Sequence, residues 1–273
     1  MRWSYQIARI FGIPIRVHLS LILFLGLIIM WGGGLRGLLL MVAIFGSVLL
    51  HELGHALVAK SKGLPIADIS LYPFGGMARM TMPPKTSGDE IQVAAAGPMV
   101  SLVLALGFSA MALASQTPFL TTLAQVNLLL GLFNLVPALP MDGGRILRAF
   151  LARRWGYYRA TTASARVARW IAAAMGFAGL FWSGWLIVIA LFVFFMSMAE
   201  EGMARARHFM GDPGYQDTGQ GRVFDPFRRF AESSGFRPSG SDWEVFEAGS
   251  STTESAERKR PHIVIEWQDK RDP

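Results

Sequence analysis

Residues Gly37–Ala59 read GLLLMVAIFGSVLLHELGHALVA, an apolar run broken near its end by His51, Glu52 and His55. A helix needs about 20 mostly apolar residues to cross the hydrocarbon core of a bilayer. A charged side chain at mid-span costs about 2.5–3.5 kcal/mol even on the lenient insertion scale. Folding gains nothing from three ionisable groups in such a place, so their retention points to chemistry. His51-Glu52-Leu53-Gly54-His55 is an HExxH. Positions i and i+4 share a helix face, so both imidazoles can reach one ion. Glu52 is rotated from His51 by about 100° and suits another task, holding and deprotonating a water that the metal activates. An HExxH alone occurs in many unrelated proteins. Its place inside an apolar span is what favours catalysis over a structural role.

The rest of the chain fits a membrane setting. Its 273 residues are 52% hydrophobic and only 16% charged, against about 25% charged in soluble domains. Residues 1–199 hold 15 Lys or Arg and five carboxylates, Glu52, Asp68, Asp89, Glu90 and Asp142. The remaining 11 basic and 14 acidic residues follow from Glu200 on. A basic excess confined to the apolar part reads as positive loops kept on the cytoplasmic side, with no nucleic-acid partner. There is no Cys, which leaves His and carboxylates as the metal ligands.

About six transmembrane helices are expected, over Ile15–Trp31, Gly37–Ala59, Ile91–Ser115, Leu120–Pro137, Ala168–Trp182 and Trp185–Ala199. The N-terminal stretch with its three Arg resembles a signal peptide, but no clean cleavage site follows. It reads as a first span that stays. On this threading fourteen Lys or Arg fall in inner segments and only Arg36 in an outer turn, so both termini are expected in the cytoplasm. Between the second and third spans, residues 63–82 carry short strand-like runs around Pro73, Gly75 and Gly76. They predict a membrane-associated β-hairpin. Arg145–Arg169 is basic with apolar spacing and reads as lying along the cytoplasmic surface. The fold class is thus an all-α polytopic membrane protein with one hairpin and a mostly disordered C-terminal tail.

A catalytic zinc takes three protein ligands and keeps one position open. Among the remaining His and carboxylates, Asp142 is the best third ligand. It follows the apolar span ending at Pro137 and lies at the same inner depth as His51. Pro137 and Pro140 end the helix, and Gly143 and Gly144 free the backbone after the carboxylate. Asp-Gly is also an ordinary turn pair, and Asp142 alone would be read that way. The intramembrane HExxH tips the balance. Donor chemistry by itself leaves other divalent metals open.

An HExxH in one apolar span, followed by Asn134-Leu135-Val136-Pro137-Ala138-Leu139-Pro140-Met141-Asp142-Gly143-Gly144 after a later one, resembles the site-2 protease family of intramembrane zinc metalloproteases. The resemblance covers about residues 8–200 and includes Pro73–Gly76 and Gly97-Pro98. It implies that His51, His55 and Asp142 bind one Zn2+ and that Glu52 is the catalytic base. It also singles out Asn134, as a group that orients substrate or donates to the developing oxyanion. A helix–helix hydrogen bond is the equal alternative for that amide. His18 reads as an interfacial residue at the start of a span. Gly97 and Ser101 form a small-xxx-small pair with a packing role, and Pro98 reads as a kink.

The implied organisation is a protease domain over 1–205 and a flexible cytoplasmic tail over 206–273, in a bacterial inner membrane. The implied substrates are single-span membrane proteins such as anti-sigma factors or membrane-tethered transcription regulators. No PDZ or CBS domain is apparent, which places the chain near the minimal, sporulation-type members. Two rivals are a zinc transporter and an inactive scaffold. The first leaves Glu52 unexplained and lacks an internal repeat; the second predicts a lost ligand, and none is lost.

Overall fold

A computed structural model describes residues 3–84 and 86–209 of the chain. It opens with two strands, β1 (Ser4–Ile10) and β2 (Ile13–His18), joined through Phe11 and Gly12, both at positive φ. Two residues at positive φ give the turn whose twist matches a tight antiparallel hairpin. α1 (Leu19–Ile28) follows directly, and its first turn is capped by His18 Nδ1 accepting from Ser20 N–H at 3.2 Å. One π-helical turn (Ile29–Gly33) leads into α2 (Gly34–Ser61), which carries the HExxH.

α2 stops at a glycine for a clear reason. Gly63 has φ 73°, its N–H bonds Lys60 O at 2.9 Å, and Leu64 N–H reaches back to Ala59 O at 3.0 Å. That pairing satisfies the last carbonyls of the helix through a left-handed residue, which glycine adopts without a Cβ penalty. The chain then forms β3 (Ile66–Tyr72) and β4 (Gly75–Met80), antiparallel neighbours linked through Pro73 and Phe74. β3 also pairs in parallel with β2, so the sheet order is β1-β2-β3-β4. Ile13, Ile15 and Ile69 of the sheet bury against Leu53 and Ala56 of α2. Each of the isoleucines and Leu53 stabilises by about 1.5–3 kcal/mol relative to exposure. The sheet is therefore seated on the turns of α2 that hold the motif.

α3 (Ser87–Ser115), α4 (Pro118–Asn134), α5 (Asp142–Trp155), α6 (Tyr157–Trp182) and α7 (Gly184–Phe209) complete the described fold. Thr86 caps α3 by accepting from Asp89 N–H at 3.0 Å. Arg148 of α5 is buried between α3 and α7, with its Nε bonded to Glu90 Oε1 at 3.0 Å and its Nη1 3.7 Å from Glu200. Its guanidinium also lies 4.8 Å from the Tyr157 ring centroid. Removing one member of such a buried ion pair strands the other, at about 3–5 kcal/mol.

Among the described residues, α2, α3 and α7 are long and apolar enough to cross a membrane. α4 and the helix from Leu19 to Trp31 are apolar but shorter. The first expected span thus needs correction: its opening residues, Ile15–His18, are strand, and only the helix from Leu19 remains of it. The two short late spans sit inside the longer α6 and α7. The stretch Arg145–Arg169 is two helices, parted at Gly156, where φ is 76°. The hairpin expected within residues 63–82 is β3–β4, and it belongs to a four-stranded sheet instead of standing alone. Of the expected tail from residue 206, everything beyond Phe209 lies outside the described residues.

Candidate metal centre

His51 and His55 sit one turn apart on α2, both buried, with their Nε2 atoms 3.2 Å apart. Each ring is held from behind by α3. His55 Nδ1 donates to the carbonyl of Val93 at 2.7 Å. A carbonyl can only accept, so Nδ1 carries a proton and Nε2 is the atom turned toward Asp142 and His51. His51 Nδ1 lies 2.9 Å from Ser101 Oγ. The helices approach closely because Gly97 has no side chain: a Cβ there would come within 2.1 Å of His55 Nε2 and 2.7 Å of His51 Nε2.

Asp142, the first residue of α5, brings its Oδ2 to 3.1 Å from His55 Nε2 and 3.3 Å from His51 Nε2. Its delivery is local. Asn134 ends α4, and Ala138, Leu139 and Met141 are buried and fix the connecting segment. Gly143 and Gly144 let α5 start hard against that segment, since a Cβ would fall 2.2 Å from Leu135 O and 2.4 Å from Ala138 C respectively. The two histidines and Asp142 are the only group of three or more potential metal ligands among the described residues. Tetrahedral zinc with bonds of about 2.0–2.1 Å places its ligands about 3.3 Å apart. The observed spacings of 3.1–3.3 Å match that edge length, so the donor set fits zinc.

Glu52 points to the other side. It is half-buried, and its Oε2 accepts from the backbone N–H of Ala78 in β4 at 3.2 Å. Gly76 makes room, because a Cβ there would lie 2.5 Å from Glu52 Cγ. Across the sheet, Arg79 of β4 and Arg16 of β2 flank the buried Asp68 of β3, with Arg79 Nε 2.8 Å from Oδ1 and Arg16 Nε 3.6 Å from Oδ2. The Arg79 hydrogen bond holds the Asp68 carboxyl below its usual range despite burial.

Of the residues singled out in the sequence, His51, His55 and Asp142 converge and Glu52 sits beside them. Asn134 is outside the group; its amide donates to Leu130 O of its own helix at 3.0 Å. His18 is also outside, capping α1 and lying against the Tyr72 ring at 5.1 Å. Four contacts were not read from the sequence: Ser101, the Val93 carbonyl, the Ala78 N–H and Asn127. Asn127 is fully buried on α4 and bonds Ser47 Oγ at 3.0 Å, one turn before His51. Gly97 and Ser101 were legible as a small-xxx-small pair, but their contact with the histidines was not.

The profile of peptidase family M50 matches residues 39–117 and 109–175, the stretch that holds all three clustered side chains. The chain belongs to this family, the site-2 proteases. A zinc metalloprotease of Methanocaldococcus jannaschii is 41% identical to the M50 chain over 207 residues, covering 71% of this chain and 60% of the relative. Stage IV sporulation protein FB of Bacillus subtilis is 30% identical, covering 72% of this chain and 68% of that protein. The solved site-2 protease from Methanocaldococcus jannaschii superposes with a TM-score of 0.56 at 39% identity, over 73% of this chain and 95% of that one. The chain thus spans about 60% of the length of the archaeal relative. Family membership and three long apolar helices make it a membrane protein.

Proposed function

We propose that the chain is a zinc-dependent intramembrane endopeptidase that hydrolyses peptide bonds in or near the transmembrane segments of membrane-tethered proteins. The observation that carries this reading is the convergence, at zinc spacing, of His51 and His55 of the apolar helix α2 with Asp142 of α5, and Glu52 beside them. His51, His55 and Asp142 would hold one zinc. When bound there, zinc supplies Lewis acidity toward water and toward the peptide carbonyl. Glu52 takes the proton from the attacking water and hands it to the leaving amine nitrogen. The Ala78 N–H fixes the carboxylate oxygen of Glu52 for that transfer. Burial of the three ligands keeps competing water away from them.

Depth along α2 supports a site near one membrane face. His51 is 17 residues after Gly34 (51 − 34), about 26 Å along the axis of a core about 30 Å thick. The charge bias of the loops makes that face the cytoplasmic one, with six crossings and both termini inside. Residues 1–205 form the protease domain in this reading, and 206–273 a cytoplasmic tail. Substrates are single-span membrane proteins whose helix unwinds to expose a carbonyl. The edge of β4 is suited to pair with the unwound strand, since edge strands offer unpaired backbone groups. Asn134 gives one amide N–H to Leu130 O and keeps its second N–H and its Oδ1 to orient substrate.

The test uses the full chain in lipid nanodiscs with a single-span target, the cuts being mapped by mass spectrometry. Wild type is expected to cut within or beside the transmembrane segment. Glu52→Gln is expected to bind one zinc and cut about 10²–10⁴-fold more slowly. Zinc binding that survives loss of His51, His55 or Asp142 would remove the ligand assignment.

A further inference from the structure

α3 faces the metal centre with one stripe, and that stripe holds the rear nitrogens of both histidines. Val93, Gly97 and Ser101 follow at a spacing of four, which stacks them on one side of a helix. Val93 offers a backbone carbonyl to His55 Nδ1 at 2.7 Å, and Ser101 offers a side-chain oxygen to His51 Nδ1 at 2.9 Å. Gly97 lies between them and leaves the front nitrogens clear. Ser101 is fully buried, as is Val93, and His51 is 3% exposed, so no solvent competes for this bond.

The two rear bonds are not equivalent. The Val93 carbonyl dictates the tautomer of His55, because it has no proton to give. A serine hydroxyl can give or take, so the tautomer of His51 is decided by what stands in front of the ring. There the Asp142 carboxylate oxygen and His55 Nε2 lie at 3.3 and 3.2 Å. A cation shared by these atoms needs a lone pair on His51 Nε2, which puts the ring proton on Nδ1.

We infer that Ser101 is a positioning residue for metal binding, accepting the His51 Nδ1 proton and aiming the Nε2 lone pair at the position shared with His55 and Asp142. This rests on the ligand reading above. The serine acts through His51 and touches neither metal nor substrate. Outer partners of ligating histidines fix ring orientation and ligand basicity, and their loss weakens metal affinity by about 10–100-fold.

The experiment measures the zinc dissociation constant of the full chain in nanodiscs by competition with a chromophoric chelator. Ser101→Ala is expected to raise it about 10–100-fold. Ser164→Ala, which removes an equally buried hydroxyl of α6 that has no partner, is expected to leave it unchanged. ¹⁵N spectra of histidine-labelled, zinc-loaded protein are expected to show His51 protonated at Nδ1, a signature that mere packing would not set. An affinity of Ser101→Ala within twofold of wild type, an equal loss in Ser164→Ala, or a zinc-loaded His51 bare at Nδ1 would each overturn the inference. Asp142→Ala separates the two levels. If it abolishes zinc binding while Ser101→Ala does not weaken it, only the role of Ser101 falls. If it leaves zinc binding intact, the ligand reading falls as well.

Discussion

The two sides of the centre are built to different standards. Behind the ligands, His51, His55, Asp142, Gly97 and Ser101 are all buried, and each ligand side chain has a directed partner. On the side of Glu52, β4 is an edge strand with Met77 half exposed, and Phe74 at its turn is fully exposed. Glu52 bridges the two: its backbone belongs to the rigid helix, and its carboxylate is tied to the exposed strand. A metal site must keep its spacing, whereas a protease must admit and release a polypeptide. In the proposed reading the packed helices meet the first demand and the edge of β4 the second.

Several changes would break or sharpen this contrast. The largest loss of cleavage is expected from Glu52→Gln, about 10²–10⁴-fold, with zinc content unchanged in elemental analysis. Gly97→Ala strikes the rigid side, placing a methyl carbon within 2.1 Å of His55 Nε2. We expect zinc affinity to fall by about 100-fold or more, since the clash exceeds the loss of an outer partner, as read by chelator competition. Arg148→Ala removes no ligand but frees α5 from Glu90 and Glu200. Thermal unfolding in detergent should show a loss of about 3–5 kcal/mol. Gly76→Ala presses on Glu52 from the open side. Cleavage should fall by about tenfold, the scale of a 1.4 kcal/mol displacement of a catalytic group, with zinc affinity held.

The smallest effect concerns pH. The Asp68 carboxyl is held below its usual range by Arg79, so its contribution is present above the ordinary carboxylate pKa. It is lost as pH falls through the depressed folded value. Both arginines are partly exposed, which keeps the loss under about 1 kcal/mol. Melting curves of wild type and Asp68→Asn, compared from neutral pH downward, should converge in acid.

The parts legible in the sequence were those with local signatures. The HExxH announced itself by spacing and by the apolar run around it, Asp142 by flanking prolines and glycines, and β3–β4 by Pro73, Gly75 and Gly76. The N-terminal hairpin was hidden. β1 is interrupted by a register shift between Gln6 and Ala8, and β2 runs into α1 without a Pro or Gly between Ile15 and Leu25, so the end of β2 and α1 merged into one expected span. The parallel pairing of β2 with β3 joins segments about fifty residues apart, as Ile15 does with Ile69, and no local pattern records it. Ser101 illustrates the same limit. Small residues at a spacing of four announce close packing, but which imidazole they meet depends on how α2 and α3 dock. The reach of Asn127 to Ser47 has the same origin.

The most direct test of the central claim compares membranes from cells producing wild type or Glu52→Gln at equal level and equal zinc content, by mass spectrometry directed at protein termini. The account predicts new termini inside or beside transmembrane segments that appear with wild type alone. Zinc-loaded wild type that yields no such termini, even from single-span targets already trimmed outside the membrane, would contradict it.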